Sequence, residues 1–327
     1  MKTLYDGIRY HFHTIQFAQW LLRNPLFLSS PFHKMVVRKG VKRTMLKPVE
    51  LMIELTNACN LACAMCPHPI MRRGRGVMTY ELFREIIDQA AELKIRDIKI
   101  AGLGESLLDK DIANKITYAK KKMLRVKMFT NGMLLGRDRS LQLIESGVDE
   151  IFVSIDGGTQ LVQERIRKGS SFSRIRDNLG DLQCILREKK KAGKKVPKVI
   201  VNVTYQEANK DERQLIMGNW GGLVDRVRFF PLHNWEVGEK APQRASHPCH
   251  LPFFQMAICW DGRVALCCID YECRHQLGDL TEGSISSVWR GKTATEVRNL
   301  HLEYKSDRIA LCRSCSLIPN WFFSGGL

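Results

Sequence analysis

Six short apolar runs, each followed by a longer amphipathic segment, constrain the fold of this chain more than any other feature. The runs are predicted strands at 50–55, 97–101, 126–129, 150–155, 199–205 and 226–231. The predicted helices between them are 79–93, 109–123, 137–146, 172–191 and 210–220. Strands and helices that alternate in this way form a parallel sheet with right-handed crossovers. The sequence therefore predicts an α/β fold, two units short of a closed eight-stranded barrel.

Composition and cysteine usage narrow the class of protein. The chain has 327 residues, of which 44% are hydrophobic and 26% charged, as in a globular protein with a sizeable core. No apolar run approaches the roughly 20 residues of a membrane span, and no signal peptide is visible, so the cytoplasm is the expected compartment. Eleven cysteines, several of them clustered, favour metal binding there over disulfides. Cys184 stands alone in a predicted helix and is expected in the core.

Residues 1–48 carry about half of the net charge of +17, with nine Lys or Arg against one Asp. Aromatic residues accompany these bases, and residues 10–23 are predicted to form an amphipathic helix that Pro25 stops. One interpretation is a helix that packs beneath the sheet. The other is a peripheral contact with an anionic membrane surface or with an anionic substrate.

Three cysteines in a CxxxCxxC spacing follow the first predicted strand directly: Cys59, Cys63 and Cys66. A structural zinc site is closed by four ligands, and a cubane iron-sulfur cluster has four irons to hold. A local set of three cysteines therefore leaves one metal corner open, where a small molecule can bind. The alternatives are a zinc knuckle or buried thiols that act as small apolar side chains.

This motif, in a loop after a first strand, resembles the signature of the radical S-adenosylmethionine (radical SAM) superfamily. The resemblance implies that the three cysteines hold a 4Fe-4S cluster and that SAM binds the fourth iron. It implies a partial (β/α)6 TIM-like barrel with its chemistry at the carboxyl ends of the strands. It also implies reductive cleavage of SAM to a 5′-deoxyadenosyl radical, with electrons from a flavodoxin- or ferredoxin-type donor.

Segments at the other predicted strand ends resemble the same family. Residues 101–106 are similar to a Gly-Gly-Glu-Pro segment whose backbone receives the SAM amino group, although Leu103 separates the glycines and Ser106 replaces the proline. The resemblance implies that Ser154 and a basic residue on the next helix contact the SAM carboxylate. Arg167 matches this basic residue, and Arg165 is the alternative. Either guanidinium group suits a carboxylate.

The residues expected to bind the cofactor are therefore Gly102, Gly104, Glu105, Asn131, Ser154, Asp156, Arg167 and Asn202. Asn202 follows from its place on the fifth predicted strand, where its amide could reach the ribose hydroxyls. The alternative for these residues is turn chemistry, since Asn-Gly and Asp-Gly form turns in any protein.

Seven more cysteines lie after residue 231: Cys249, Cys259, Cys267, Cys268, Cys273, Cys312 and Cys315. Residues 256–268 predict a β-hairpin that turns at Asp261 and Gly262. Cys249, followed by Gly262 and Cys267 in a Gly-x4-Cys spacing, resembles the pattern of the SPASM and twitch domains of radical SAM enzymes. The expected domains are thus a basic extension at 1–48, a radical SAM core at 49–231 and an auxiliary-cluster domain at 232–327.

The resemblance implies an auxiliary 4Fe-4S cluster on Cys249, Cys267, Cys312 and Cys315, with a four-cysteine zinc ribbon as the alternative. Cys268 is the alternative to Cys267 as a cluster ligand. Neighbouring side chains on a strand face opposite sides, so only one of the two can easily face the cluster. Cys259 and Cys273 are expected to be core or exposed thiols.

The expected reaction is hydrogen abstraction from a small substrate such as a sugar, an aminocyclitol or a nucleotide- or phosphate-linked compound. In a dehydrogenase, the auxiliary cluster takes the second electron; in an epimerase, a thiol such as Cys268 returns a hydrogen. A peptide-modifying maturase is a further alternative, although 48 residues are too few for a peptide-recognition domain. The basic surplus favours an anionic substrate. A non-enzymatic zinc- or nucleic-acid-binding protein is the alternative from another class, with nucleic acid the less favoured partner.

Overall fold

A computed structural model describes residues 41, 44–233, 235 and 249–315 of the chain. The helix predicted at 10–23 lies outside these residues, and so does most of the N-terminal extension to which it belongs. Within the described part, no helix has both the length and the apolar composition needed to cross a membrane.

Nine strands form one sheet. They are β1 Glu50–Ile53, β2 Asp97–Ile100, β3 Arg125–Thr130, β4 Glu150–Ser154, β5 Lys198–Tyr205, β6 Arg226–Pro231, β7 Gln255–Ile258, β8 Arg263–Ala265 and β9 Gln276–Asp279. Their order is β6-β5-β4-β3-β2-β1-β7-β8-β9. The first six are parallel to their neighbours, as the sequence predicts. The predicted α/β class, a partial TIM-like barrel followed by a small C-terminal hairpin and helices, is confirmed.

Ten α-helices occur in the described part of the chain. They are α1 Tyr80–Glu92, α2 Ile112–Lys121, α3 Arg137–Glu145, α4 Gln160–Ile166, α5 Phe172–Lys191, α6 Arg213–Trp220, α7 Leu251–Phe254, α8 Ile285–Arg290, α9 Lys292–Leu302 and α10 Ala310–Arg313. The sequence predicts α1, α2, α3, α5 and α6 within a few residues. It misses α4, whose seven residues are too short for a clear helical period.

The helices after β1 to β5 cover one face of the sheet. In α1, the Thr79 hydroxyl accepts the Leu82 N–H and caps the helix, while Phe83 and Ile86 are completely buried. They join a core that includes Leu51 of β1 and the alternating apolar residues of β2 to β5. Cys184 does not belong to this core. It lies on the exposed side of α5, so the expectation of a core thiol is wrong.

The opposite face of the sheet, here called the lumen face, is polar and aromatic. Because successive strand residues point to opposite sides, the register places the following residues, among others, on it: Met52, Lys99, Phe129, Phe152, Ser154, Asn202 and Arg228. Contacts between neighbouring strands agree with that register. The rings of Phe129 and Phe152 stack with centroids 4.6 Å apart and planes 6° from parallel.

β7 pairs in parallel with β1, from Glu50 opposite Gln255 to Ile53 opposite Ile258. The Gln255 side-chain amide donates to the Glu50 carboxylate at 2.6 Å. The predicted hairpin follows as β7 and β8, with Gly262 at its turn in a left-handed conformation (φ +92°) that favours glycine. The one sheet thus includes strands from both sides of the predicted domain boundary at residues 231 and 232, with β6 at one edge and β7 beside β1.

Candidate active site

The CxxxCxxC loop leaves β1 and is fixed by backbone contacts to the end of α4. The Ala62 N–H donates to the Lys168 carbonyl at 2.9 Å, and the Ala64 N–H to the Ile166 carbonyl at 2.8 Å. Asn57, which is fully buried, closes the loop behind the cysteines. Its side chain bonds the Gly74 carbonyl at 2.7 Å and the Gly76 N–H at 2.9 Å. The motif is therefore held at the carboxyl end of the sheet.

The three thiols of this loop are half-buried and influence one another electrostatically. Burial raises the pKa of Cys59 to about 11, and the charges of Glu105, Cys63 and Cys66 raise it further. Burial likewise raises the pKa of Cys63 and of Cys66. Three neighbouring thiolates are costly in this low-polarity environment unless a cation compensates them. The site therefore fits a cluster with metal charge, although within the described residues no three His, Cys, Asp or Glu side chains are arranged around a single ion.

Arg167 is the basic residue that faces this loop. Its Nη1 lies 3.9 Å from the Cys63 sulfur, and its Nε lies 2.8 Å from an oxygen of the completely buried Asp156. The other Asp156 oxygen accepts the Thr204 N–H at 2.6 Å. Arg165 is exposed and donates to the Ala208 carbonyl. Of the two arginines considered from the sequence, only Arg167 is oriented toward the cysteines.

Glu105 and Asn131 use their side chains on other parts of the protein. The buried Glu105 carboxylate accepts the Thr130 hydroxyl and the Asn131 N–H, both at 2.7 Å, and burial raises its pKa. The Asn131 amide donates to the Asn60 side chain at 2.8 Å. These bonds join the ends of β2 and β3 to the cysteine loop. The expected role of residues 102–105 in receiving the SAM amino group stays a prediction about their backbone.

Gly102 and Gly104 lie against the segment that leaves β1. A Cβ atom on Gly104 would stand 2.1 Å from the Thr56 carbonyl oxygen, and one on Gly102 would stand 2.5 Å from the Glu54 Cγ. No side chain fits at either position without displacement of its neighbour. These glycines are thus required for close backbone packing, whether or not a ligand is bound.

The substitution Gly104→Ala should destabilise the protein because its methyl group overlaps backbone that cannot rotate away. We expect a loss of about 1–3 kcal/mol in the free energy of unfolding, measured by anaerobic urea denaturation. Gly74→Ala is the matched control, since a Cβ there meets nothing within 4 Å. Equal effects of the two substitutions would contradict this explanation.

Ser154 and Asn202 are neighbours on β4 and β5, both on the lumen face. The Asn202 Oδ1 atom is buried and has no hydrogen-bond partner in the described structure. A buried acceptor of this kind needs a donor, because an unsatisfied polar atom is costly. A ligand hydroxyl would supply one, in agreement with the predicted ribose contact.

Five cysteines of the C-terminal part lie close enough to raise one another's pKa values. Burial raises the pKa of Cys249 to about 12, with Cys315 and Cys268 adding to the shift. Burial raises the pKa of Cys267 as well, and Cys268, Cys312 and Cys249 contribute. All four predicted ligands of the auxiliary cluster therefore belong to one group. Their donor set of thiols fits an iron-sulfur cluster.

Cys267 and Cys268 face different surroundings. Cys267 is buried with Val297 and Ile309 beside Cys312. Cys268 packs against the same cluster and also against the one that contains Met52 of the lumen face, and the charge of Lys99 opposes the burial that raises its pKa. This arrangement supports Cys267 as the ligand and leaves Cys268 between the auxiliary cysteine group and the lumen face. Cys259 and Cys273 are both buried.

Several residues of this region were not predicted from the sequence to belong to the site. The His301 Nδ1 atom accepts the Cys249 N–H at 3.1 Å, and its Nε2 atom lies 3.7 Å from the Cys312 sulfur. A single histidine in a helical pattern gives no signal for this role. Phe129 and Phe152 did carry a signal, because each lies two positions before a residue already chosen, Asn131 and Ser154 respectively, and therefore on the same face of its strand. Lys99 and Arg228 reach that face through the strand register, which the sequence alone does not show.

Comparisons with known proteins agree with this arrangement. The sequence profile of the radical SAM superfamily matches residues 53–183, and that of the SPASM iron-sulfur cluster-binding domain matches residues 249–316. The mycofactocin maturase MftC of Mycobacterium ulcerans is 26% identical over 315 residues, covering 82% of this chain and 80% of its own. An S-adenosyl-L-methionine-dependent 2-deoxy-scyllo-inosamine dehydrogenase of Niallia circulans is 23% identical over 270 residues, covering 81% and 91%.

Solved structures show the same fold. BtrN in complex with AdoMet and 2-DOIA has a TM-score of 0.58 at 19% identity and covers 83% of this chain and 94% of its own. Native anSMEcpe with bound AdoMet has a TM-score of 0.61 at 14% identity, covering 81% and 88%. The two domain profiles support iron-sulfur and SAM chemistry rather than the zinc- or nucleic-acid-binding alternative. The chain therefore contains a radical SAM domain at residues 53–183 and a C-terminal SPASM domain at residues 249–316, whose cofactors are a SAM-binding 4Fe-4S cluster, SAM and auxiliary iron-sulfur clusters.

Proposed function

We propose that this protein is a radical SAM dehydrogenase that removes a hydrogen atom and then an electron from a small anionic substrate. The observation that carries the proposal is the pairing of β7 with β1. This pairing brings the auxiliary cysteine group to the edge of the lumen face. There Cys268 packs against a hydrophobic cluster that contains Met52. An electron acceptor held by Cys249, Cys267, Cys312 and Cys315 would then adjoin the substrate.

Each part of the lumen would have a separate task. The cluster at Cys59, Cys63 and Cys66 and its SAM, when bound, supply the radical that takes the hydrogen. Arg167, held in place by Asp156, would contact the SAM carboxylate, and the buried Asn202 oxygen would accept a ribose hydroxyl. The name of the Niallia circulans relative, a dehydrogenase of an aminocyclitol, supports oxidation of a small molecule.

Epimerisation is the second candidate, and the position of Cys268 favours it. Cys268 packs against the cluster that contains Met52 of the lumen face, within range of the Lys99 charge, and its thiol would return hydrogen to a substrate radical. Peptide modification is a third candidate, supported by the name of the maturase relative. The two small-molecule reactions differ in whether a hydrogen atom is returned to the reacting carbon of the substrate. Deuterium from the solvent, exchanged onto the thiol, reports such a return.

We expect the protein, incubated anaerobically in deuterated solvent with SAM, dithionite and a panel of sugar phosphates, aminocyclitols and nucleotide sugars, to form one 5′-deoxyadenosine per oxidised product. The product should lack deuterium at the reacting carbon, and Cys268→Ser should retain turnover. Deuterium in an inverted product, lost with Cys268→Ser, would establish epimerisation instead. If no 5′-deoxyadenosine forms, either with or without a compound of the panel, the radical SAM reaction itself is contradicted. Cys184→Ser is the control for a general effect of cysteine replacement.

A further inference from the structure

We propose that Lys99 and Arg228 bind the oxyanion of the substrate, with its non-polar body against the stacked rings of Phe129 and Phe152. This inference rests on the proposed function and assigns its substrate class, a small molecule that carries a phosphate or carboxylate group. Four strands contribute to the row, in the order β2, β3, β4 and β6.

Lys99 lies at the auxiliary-cluster end of the row. Its Nζ atom stands 5.1 Å from the centroid of the Phe129 ring, and its charge acts on Cys268. No carboxylate lies within ion-pair distance of Lys99 in the described structure. A cation over an aromatic face, without a counter-ion, is a suitable partner for an incoming oxyanion.

Arg228 lies at the other end, on β6. Its guanidinium carbon stands 4.8 Å from the centroid of Phe230 and 6.0 Å from that of Phe152. Burial and the neighbouring Arg226 lower the pKa of Arg228, and the charge of Glu150 acts in the opposite direction. Its register partner on β5 is Asn202. An anion at this point would relieve the repulsion between the two arginines.

Two other cations of the lumen face are already paired. Lys127 lies 3.4 Å from a Glu50 oxygen and 3.2 Å from an Asp97 oxygen. Arg125 is paired with Glu150. Lys99 and Arg228 have no acidic partner at ion-pair distance within the residues described, and they differ from Lys198 and Arg226, at the amino ends of β5 and β6, by their place beside the phenylalanine rings. That distinction makes them the residues expected to select an anionic substrate.

The stacked rings lie between the two cations, with Lys99 over the face of Phe129. Phe152 is 5% exposed and Phe129 is partly buried beside it, so a substrate would meet mainly Phe129. Such apolar rings can contact a carbon ring or chain but provide no hydrogen bonds to position it. Binding energy and orientation must then come from the charged ends. This division explains why a substrate without an oxyanion would be held poorly.

The test is isothermal titration of the anaerobic holoprotein with inorganic pyrophosphate and, separately, with succinate, so that phosphate and carboxylate are distinguished. Lys99→Gln and Arg228→Gln should each weaken binding of the preferred anion about tenfold or more, the loss of a charge-assisted contact. Lys292→Gln is the matched control, because its side chain is 90% exposed and remote in sequence from the barrel strands. Variants are compared at equal iron content, so that a folding defect is recognised.

The inference is supported if either anion binds tightly and only the lumen substitutions weaken that binding. The anion that binds then identifies the oxyanion of the substrate. Absence of binding to both, or equal weakening by Lys292→Gln, overturns it. The proposed function is tested separately, by measuring 5′-deoxyadenosine formation with the unaltered protein. If the protein cleaves SAM but binds neither anion, only the present inference fails. If it binds an anion but never cleaves SAM, only the proposed function fails.

Discussion

Replacement of Cys63 by serine is expected to abolish SAM cleavage while leaving the auxiliary cluster in place. Cys63 is the central cysteine of the CxxxCxxC loop and lies 3.9 Å from Arg167. If it is a ligand, its loss leaves two thiolates for a cluster that needs three from this loop. The iron content should fall from about eight to about four atoms per chain, and 5′-deoxyadenosine formation should cease.

Cys312→Ser makes the complementary test. It removes one of the four auxiliary thiols, so iron should again fall to about four atoms per chain, but substrate-independent SAM cleavage should persist. Cys184→Ser, in which an exposed thiol outside both groups is replaced, should keep all of the iron. A colourless protein that contains zinc, or an iron content that does not respond to Cys63→Ser, would contradict the assignment of the clusters.

The second large effect is expected on stability, from the ion pair between Arg73 and Glu54. Their side chains are each 5% exposed, and the guanidinium donates to both carboxylate oxygens, at 2.6 and 2.5 Å. Arg73→Met would leave the Glu54 charge buried without its partner. We expect a loss of about 3–5 kcal/mol in the free energy of unfolding, measured by urea denaturation of the anaerobic holoprotein.

Two comparisons make this prediction specific. The double substitution Glu54→Leu with Arg73→Met should be less destabilising than Arg73→Met alone, because no unpaired charge remains. Lys292→Met removes an exposed lysine that lies 4.0 Å from Glu296 and should cost no more than about 0.5 kcal/mol. A loss for Arg73→Met as small as that for Lys292→Met would show that the buried pair contributes little.

This ion pair also connects the cysteine loop with the C-terminal region. The Arg73 Nε atom donates to the Tyr271 carbonyl, and the backbone N–H groups of Arg72 and Arg73 donate to the Glu272 carboxylate at 2.9 and 3.0 Å. Glu54 in turn accepts the Trp260 N–H at 3.4 Å. Loss of the pair should therefore loosen the contact between the segments that carry the two cysteine groups.

Local patterns were sufficient for the strands and longer helices. The period-2 alternation of β2, for example, separates the buried Ile98 and Ile100 from Lys99 on the lumen face. The positions of Cys59, Cys63 and Cys66 were evident from their spacing after β1. These features depend on residues close together in the chain, which is why the sequence alone predicts them.

Pairings between distant residues were not predictable in this way. The sequence left Arg165 and Arg167 as competitors, and the orientation of Arg167 follows from Asp156, which is eleven positions away on another loop. Glu105 was expected near the SAM amino group, but nothing local indicated that its carboxylate would be used by Thr130 and Asn131. Side-chain partners of this kind depend on the completed fold.

The pairing of β7 with β1 has a consequence for biosynthesis. β1 forms early on the ribosome, but the strand that covers its second edge includes Gln255, whose bond to Glu50 spans 205 positions. Until that segment emerges, β1 is an exposed edge strand, which is prone to pairing with other chains. Contacts of such long range also slow folding, because the closure of a large loop must precede them. Production of the intact protein should therefore depend on chaperones during the interval in which the sheet lacks its C-terminal strands.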